Sequence, residues 1–146
     1  MKSRYDNEME LQFVSKSRNE AFARITVAAF AAQLDPTIEE LADIKTAVSE
    51  AVTNCIVHAY DGARGKIEIS ASCDDDTVHI AISDEGVGIN DIEQAMQPFF
   101  TTKGDKENRS GLGFTVMQTF MDTLSVRKNA DKGITVCMSK AIKPSA

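Results

Sequence analysis

Met9, Leu11 and Phe13 alternate with Glu10, Gln12 and Val14, which predicts a strand over about residues 8–14. Ser17-Arg18-Asn19-Glu20 has capping-box spacing and predicts a helix from Glu20 to about Gln33, stopped before Pro36. Thr37-Ile38-Glu39-Glu40 repeats that spacing and opens a longer helix to about Ala59. Ile67, Ile69, Ala71 and Cys73 alternate with polar residues, as do Val78, Ile80 and Ile82, with Asp74-Asp75-Asp76 turning between them. This is the pattern of a hairpin. Asp84 to Gly88 reads as a loop, Asp91 to Met96 as a short helix, and 98–109 as a polar, mobile loop. Phe114, Met117, Phe120 and Met121 fit a helix starting near Gly113. Leu124–Arg127 and Ile134–Ser139 form a last hairpin turned by Asp131-Lys132-Gly133. The sum is a single α+β domain, with helices packed on one side of a sheet.

Composition narrows the function. The chain has 146 residues, 42% hydrophobic, enough for one real core. A net charge of −6 argues against nucleic acid or an anionic membrane as partner, because both need clustered Lys and Arg. Cys55, Cys73 and Cys137 are scattered, with no C-x-x-C, which suits buried thiols in a reducing cytoplasm rather than zinc. The N-terminus lacks the apolar stretch of a signal peptide, and the longest apolar run, Val27–Ala32, is too short to span a bilayer.

Three motifs carry chemistry: Glu50-x-x-x-Asn54, Asp84-x-Gly86-x-Gly88 and Gly111-x-Gly113. Glu50 and Asn54 are one helical turn apart and project together. A polar stripe alone fits a solvated face. A carboxylate beside an amide oxygen also suits a hydrated Mg²⁺, which takes only one or two protein ligands and leaves a triphosphate to supply the rest. Asp84 ends a strand in phase with Val78, Ile80 and Ile82, so it points inward, where a carboxylate needs partners. It caps a loop or accepts a hydrogen bond from the exocyclic amine of adenine; guanine presents an acceptor at that position. Gly86 and Gly88 permit close backbone approach to a flat base, or a simple turn. Gly111 and Gly113 open a helix whose free N–H groups form an anion site, unless Ser110 merely caps it. Lys103 and Arg109 flank the preceding loop and could reach phosphates. The P-loop and Rossmann fingerprints are absent from the sequence.

These motifs resemble the N, G1 and G2 boxes of the ATPase/kinase superfamily that includes gyrase, MutL and sensor histidine kinases. Gln33-Leu34-Asp35-Pro36-Thr37, Ser49-Glu50-Ala51-Val52-Thr53-Asn54, Gln97-Pro98-Phe99-Phe100-Thr101-Thr102-Lys103 and Arg109-Ser110-Gly111-Leu112-Gly113-Phe114 narrow the likeness. They are similar to the bacterial anti-sigma F factors of sporulation, from about Met9 to Val136. The resemblance implies a Bergerat-type fold, a two-layer sandwich of helices on one face of a mixed β-sheet. It implies ATP/ADP and Mg²⁺ as cofactors, and a homodimer that binds a sigma factor and phosphorylates an anti-anti-sigma protein on serine. Glu50 would be the general base, Asn54 the Mg²⁺ ligand and Asp84 the adenine reader. Arg109 would touch the terminal phosphate, with Thr101, Thr102, Lys103 and Ser110 in a lid over residues 98–110. The family's last strand begins Gly-Thr with that Thr near adenine. Here the run is Gly133-Ile134-Thr135, and one step along a strand turns a side chain to the other face.

Length supports a direct action on a partner, since a bare nucleotide domain leaves no room for a transducer or phosphoacceptor domain. Two other readings stay open: a nucleotide-sensing module without catalysis, and a stress-response relative with a different sigma partner. Glu50 favours a kinase over a pure binder. The first strand, with no hairpin neighbour in sequence, could present an edge to a second copy, and Arg24 is the expected sigma contact.

Overall fold

The computed structural model describes residues 6–87 and 113–143. Gly88, Thr101, Thr102, Lys103, Arg109, Ser110 and Gly111, together with the expected short helix and lid, lie outside the described residues. The elements run β1 (Asn7–Val14), α1 (Arg18–Ala31), α2 (Ile38–Asn54), β2 (Lys66–Cys73), β3 (Thr77–Asp84), α3 (Gly113–Phe120), β4 (Thr123–Lys128) and β5 (Ile134–Ala141).

The five strands form one sheet in the order β1-β2-β3-β5-β4. Every described pairing is antiparallel, where a mixed sheet was expected. The cause is the position of β5. It turns back from β4 and inserts beside β3, so β3 and β4 run the same way without touching. Alternation decides the faces. Ile67, Ile69, Ala71, Val78, Ile80, Ile82, Val136 and Met138 are buried beneath the helices, with Val27, Ile44, Val48, Val52 and Met117 opposite them. The architecture is α+β, with helices covering one face of the sheet.

The two expected capping boxes diverge. Thr37 is extended, and its hydroxyl accepts from Glu40 N at 3.0 Å while Thr37 N donates to the Glu40 carboxylate at 2.9 Å. Ser17 is already helical (φ −53°, ψ −38°) and makes no side-chain cap, because a capping hydroxyl needs the extended backbone that Thr37 has. Glu20, freed from that role, reaches across to α2. Its carboxylate accepts from Ser49 Oγ at 2.7 Å and lies 3.7 Å from Arg24.

α2 packs against both α1 and α3. The face of α2 that carries Asp43, Ala47, Glu50 and Asn54 is therefore not simply solvated: Ala47 is buried, and Asp43 pairs with Lys140 at 3.4 Å. Small residues on α2 let its neighbours approach closely. After Asn54 the helix widens into a π turn, Cys55–Ala59, closed by Tyr60 N donating to the Cys55 carbonyl. Such turns re-aim side chains at helix ends and recur at functional sites.

Candidate functional site

The π turn and the end of β3 meet. Val87 N donates to the Ala59 carbonyl at 3.1 Å. A Cβ on Gly86 would fall 2.3 Å from that same oxygen, so only glycine lets the loop lie so close. Tyr60 fastens the join from outside: Glu85 N donates to its hydroxyl at 2.6 Å, and the hydroxyl donates to the Lys66 carbonyl. Burial raises the Tyr60 phenol above its ordinary range, so it stays a neutral donor and acceptor.

Asp84 is only 2% exposed and points under the helices, in phase with its strand. Gly86 N and Ile134 N donate to Oδ1 at 2.9 and 3.4 Å, and Cys55 Sγ lies 3.6 Å from Oδ2. Burial lifts the Asp84 carboxyl above the usual carboxylate range, and these three hydrogen bonds pull it back. The Cys55 thiol is pushed well up, first by burial and then by the Asp84 charge, so it remains protonated. The carboxylate is thus the acceptor and the thiol the donor.

Asn54 ends α2 one residue before this contact, one turn beyond Glu50. Its carboxamide lies against the first residue of α3: a Cβ on Gly113 would meet Asn54 Nδ2 at 2.9 Å. Thr115, on the first turn of α3, has a buried hydroxyl with no hydrogen-bond partner among the described residues. An amide oxygen, the N–H groups of a helix start and an unmet hydroxyl suit a phosphate chain with its cation. Among the described residues no three His, Cys, Asp or Glu side chains converge to hold a metal, so the donor set here leaves most ligands to phosphate and water. The structure therefore brings Asn54, Asp84, Gly86 and Gly113 together through α2, the end of β3 and α3, with Glu50 one turn before Asn54 on α2.

Thr135 stands apart from this group. It pairs with Ser83, so both side chains occupy the sheet face opposite Asp84. Its hydroxyl lies 3.0 Å from Ser83 Oγ and 2.6 Å from Asn129 Oδ1. The position beside Asp84 belongs to the apolar Ile134. A contact between the Thr135 side chain and a base held by Asp84 is therefore not supported by this geometry.

Asn129 was not foreseen as part of the site. Its Nδ2 donates to the Asp84 carbonyl at 2.9 Å and lies 3.2 Å from Ser83 Oγ. Its backbone N donates to the Gly133 carbonyl at 3.0 Å. Gly133 takes φ +87° and presses on the Asp84 carbonyl, where a Cβ would come within 2.1 Å. The β4–β5 turn is thereby clipped to the backbone of Asp84. The available signal was the Asn129…Gly133 turn itself, whose composition marks a turn and not its target.

A family model described as a histidine kinase-like ATPase domain matches residues 13–140. Fold and site together define a domain of that class. The catalytic domain of histidine kinase ThkA superposes with a TM-score of 0.60 at 17% identity, covering 93% of this chain and 99% of that one. The RsbU and RsbW domains of Rv1364c from Mycobacterium tuberculosis superpose at 0.68 and 17% identity, covering 96% of this chain and 34% of that one. An anti-sigma F factor of Caldanaerobacter subterraneus subsp. tengcongensis is 63% identical over 138 residues, 94% of this chain and 96% of the relative. One from Geobacillus kaustophilus is 56% identical over 140 residues, 95% of each. The chain belongs to the anti-sigma F factor family of histidine kinase-like ATPase domains.

Proposed function

We propose that this protein binds and inhibits a sporulation sigma factor and phosphorylates an anti-anti-sigma protein on serine, using ATP and Mg²⁺. The observation that carries this reading is the seating of the Asn54 carboxamide against the start of α3, one residue from the Cys55–Asp84 contact. The names of the relatives support the sigma partner.

Each residue has a role in this reading. Asp84 accepts a hydrogen bond from the exocyclic amine of adenine, and Gly86 and Gly88 let the backbone approach the base. Asn54 offers its amide oxygen to Mg²⁺, which when bound offsets phosphate charge. The backbone N–H of Gly113, which opens α3, and that of Gly111 take phosphate oxygens. Glu50 takes the proton of the substrate serine. Residues 98–110, with Thr101, Thr102, Lys103, Arg109 and Ser110, serve the phosphates by family likeness. The whole chain acts as one domain in the cytoplasm; no helix among the described residues is long and apolar enough to cross a membrane. As a homodimer it would use β1, an edge strand, and α1, whose Phe22 and Ile25 are 51% and 60% exposed. Arg24 on α1 is the proposed sigma contact.

The test is incubation with labelled ATP, Mg²⁺ and a candidate anti-anti-sigma protein, reading phosphoserine. Glu50→Gln keeps the size of the side chain but cannot take a proton. It should lower phosphorylation by about 10²–10⁴-fold while ATP-dependent sigma capture persists. Wild-type phosphorylation by the variant would remove Glu50 as base. Nucleotide-dependent capture with no phosphorylation by the parent protein would favour a sensing module without catalysis.

A further inference from the structure

The two oxygens of Asp84 are held by different means. Oδ1 receives two backbone N–H groups, from Gly86 and Ile134, both fixed by the fold. Among the described residues, the partner of Oδ2 is a side chain, the Cys55 thiol, at 3.6 Å across 29 residues of sequence. Cys55 is 4% exposed and sits on the π turn directly after Asn54. The carboxylate can rotate about its own bond, so two donors on one oxygen leave its plane dependent on what meets the other. A thiol is a weak donor, and it can steady an oxygen without using up that oxygen's acceptor capacity. A base-reading carboxylate needs this combination: a fixed plane and a lone pair still available.

We propose that Cys55 is a positioning residue for base selectivity, its S–H donating to Asp84 Oδ2 so that the carboxylate accepts a purine's exocyclic amine and disfavours a carbonyl in the same place. The proposal rests on the adenine-reading role of Asp84 given above. It assigns the thiol no contact with the nucleotide and no covalent step. It also gives the π turn a purpose. The residue that holds the cation and the residue that aims the base reader are neighbours in sequence, so one backbone segment sets both ends of the nucleotide.

The experiment compares ADP with inosine diphosphate, which has a carbonyl where adenine has its amine. Calorimetry gives the affinity ratio for the parent, Cys55→Ala, Cys55→Ser, Asp84→Asn and the Cys55→Ala/Asp84→Asn double variant. A hydrogen bond to a charged acceptor, weakened here by a sulfur donor, predicts that Cys55→Ala lowers the ratio by about three- to tenfold. Cys55→Ser, which keeps a donor, should restore part of it. In the Asp84→Asn background, Cys55→Ala should change the ratio no further, because its effect passes through that carboxylate. Infrared spectroscopy supplies a direct readout: the S–H band that Cys55→Ala removes should shift in Asp84→Asn and on addition of ADP.

An unchanged ratio in Cys55→Ala, with Asp84→Asn collapsing it, would overturn the role of Cys55 and leave the adenine reader standing. An undiminished effect of Cys55→Ala in the Asp84→Asn background would assign the thiol to packing alone and overturn the proposal. An unchanged ratio in Asp84→Asn would overturn the base-reading role of Asp84 and the proposal together.

Discussion

Asp84 is a residue whose work opposes its comfort. Its carboxyl is raised by burial, so the ionised form costs folding free energy. A raised folded-state value means that its contribution to stability is present in acid and is lost as pH rises through that value. Asp84→Asn removes the titration and keeps an oxygen for the Gly86 and Ile134 N–H groups. In the nucleotide-free protein the variant's stability relative to the parent should therefore rise with pH across this window, measured by thermal melts at several pH values. Glu40 and Asp74 act in the opposite sense. A backbone N–H from Lys143 lowers the first, and a hydrogen bond from His79 lowers the second, so their stabilisation fades only as pH falls further. Both are common to parent and variant and cancel in the difference. The same Asp84→Asn change should weaken ATP binding and relax the preference over GTP, so stability and nucleotide affinity move in opposite directions. A variant whose relative stability does not change with pH would show that Asp84 is not held above its ordinary value. The inward aim of Asp84 was legible in the sequence, because strand phase fixes which face a side chain takes. Cys55 was not: it continues the apolar face of the long helix expected to run to Ala59, and nothing in sequence pairs it with a carboxylate 29 residues away.

At the scale of elements, the same four-residue spacing gave a box at Thr37 and none at Ser17. The difference is the backbone ahead of the helix, extended at Thr37 and helical at Ser17, and no side-chain pattern encodes it. Thr37→Ala should cost about 1 kcal/mol, and Ser17→Ala much less, by denaturant unfolding. The helical registers, the two hairpins and the start of α3 followed from periodicity, which burial enforces along each element. The insertion of β5 between β3 and β4 did not, since alternation marks a strand without naming its neighbours. That insertion makes the β4–β5 turn part of the site. Gly133→Ala would place a Cβ 2.1 Å from the Asp84 carbonyl at a φ of +87°. The strained backbone alone costs on the order of 1–3 kcal/mol. The turn must move to relieve the clash, so nucleotide affinity should fall along with stability. Gly62→Ala is the control: it shares a positive φ, with nothing within 4 Å of its Cβ, and should lose stability without losing affinity. Equal affinity losses in both variants would separate the turn from the site.

For the molecule as a whole, β1 and β4 are the outer strands of the described sheet, and α1, which packs near β1 and β2, exposes Phe22 and Ile25. Light scattering at micromolar concentration should give twice the chain mass, and Phe22→Glu or Ile25→Glu should shift it toward the monomer without unfolding the core. A monomer mass for the parent would refute the dimer.

The placement of β5 also sets the order in which the protein can become functional. Asp84 owes one carboxylate hydrogen bond to Ile134, 50 residues later, and its carbonyl is held by Asn129, 45 residues later. During synthesis, α1, α2 and the paired strands β1, β2 and β3 can therefore assemble while the Asp84 carboxylate still lacks one of its three hydrogen bonds. The inner strand of the sheet arrives after its neighbours and must enter beside a β3 edge already formed. Such long-range pairing is the slow part of folding. Nucleotide that binds the finished site will draw the chain through that last step by mass action. In the proposed reading, competence for nucleotide therefore waits on the arrival of β5 and its turn.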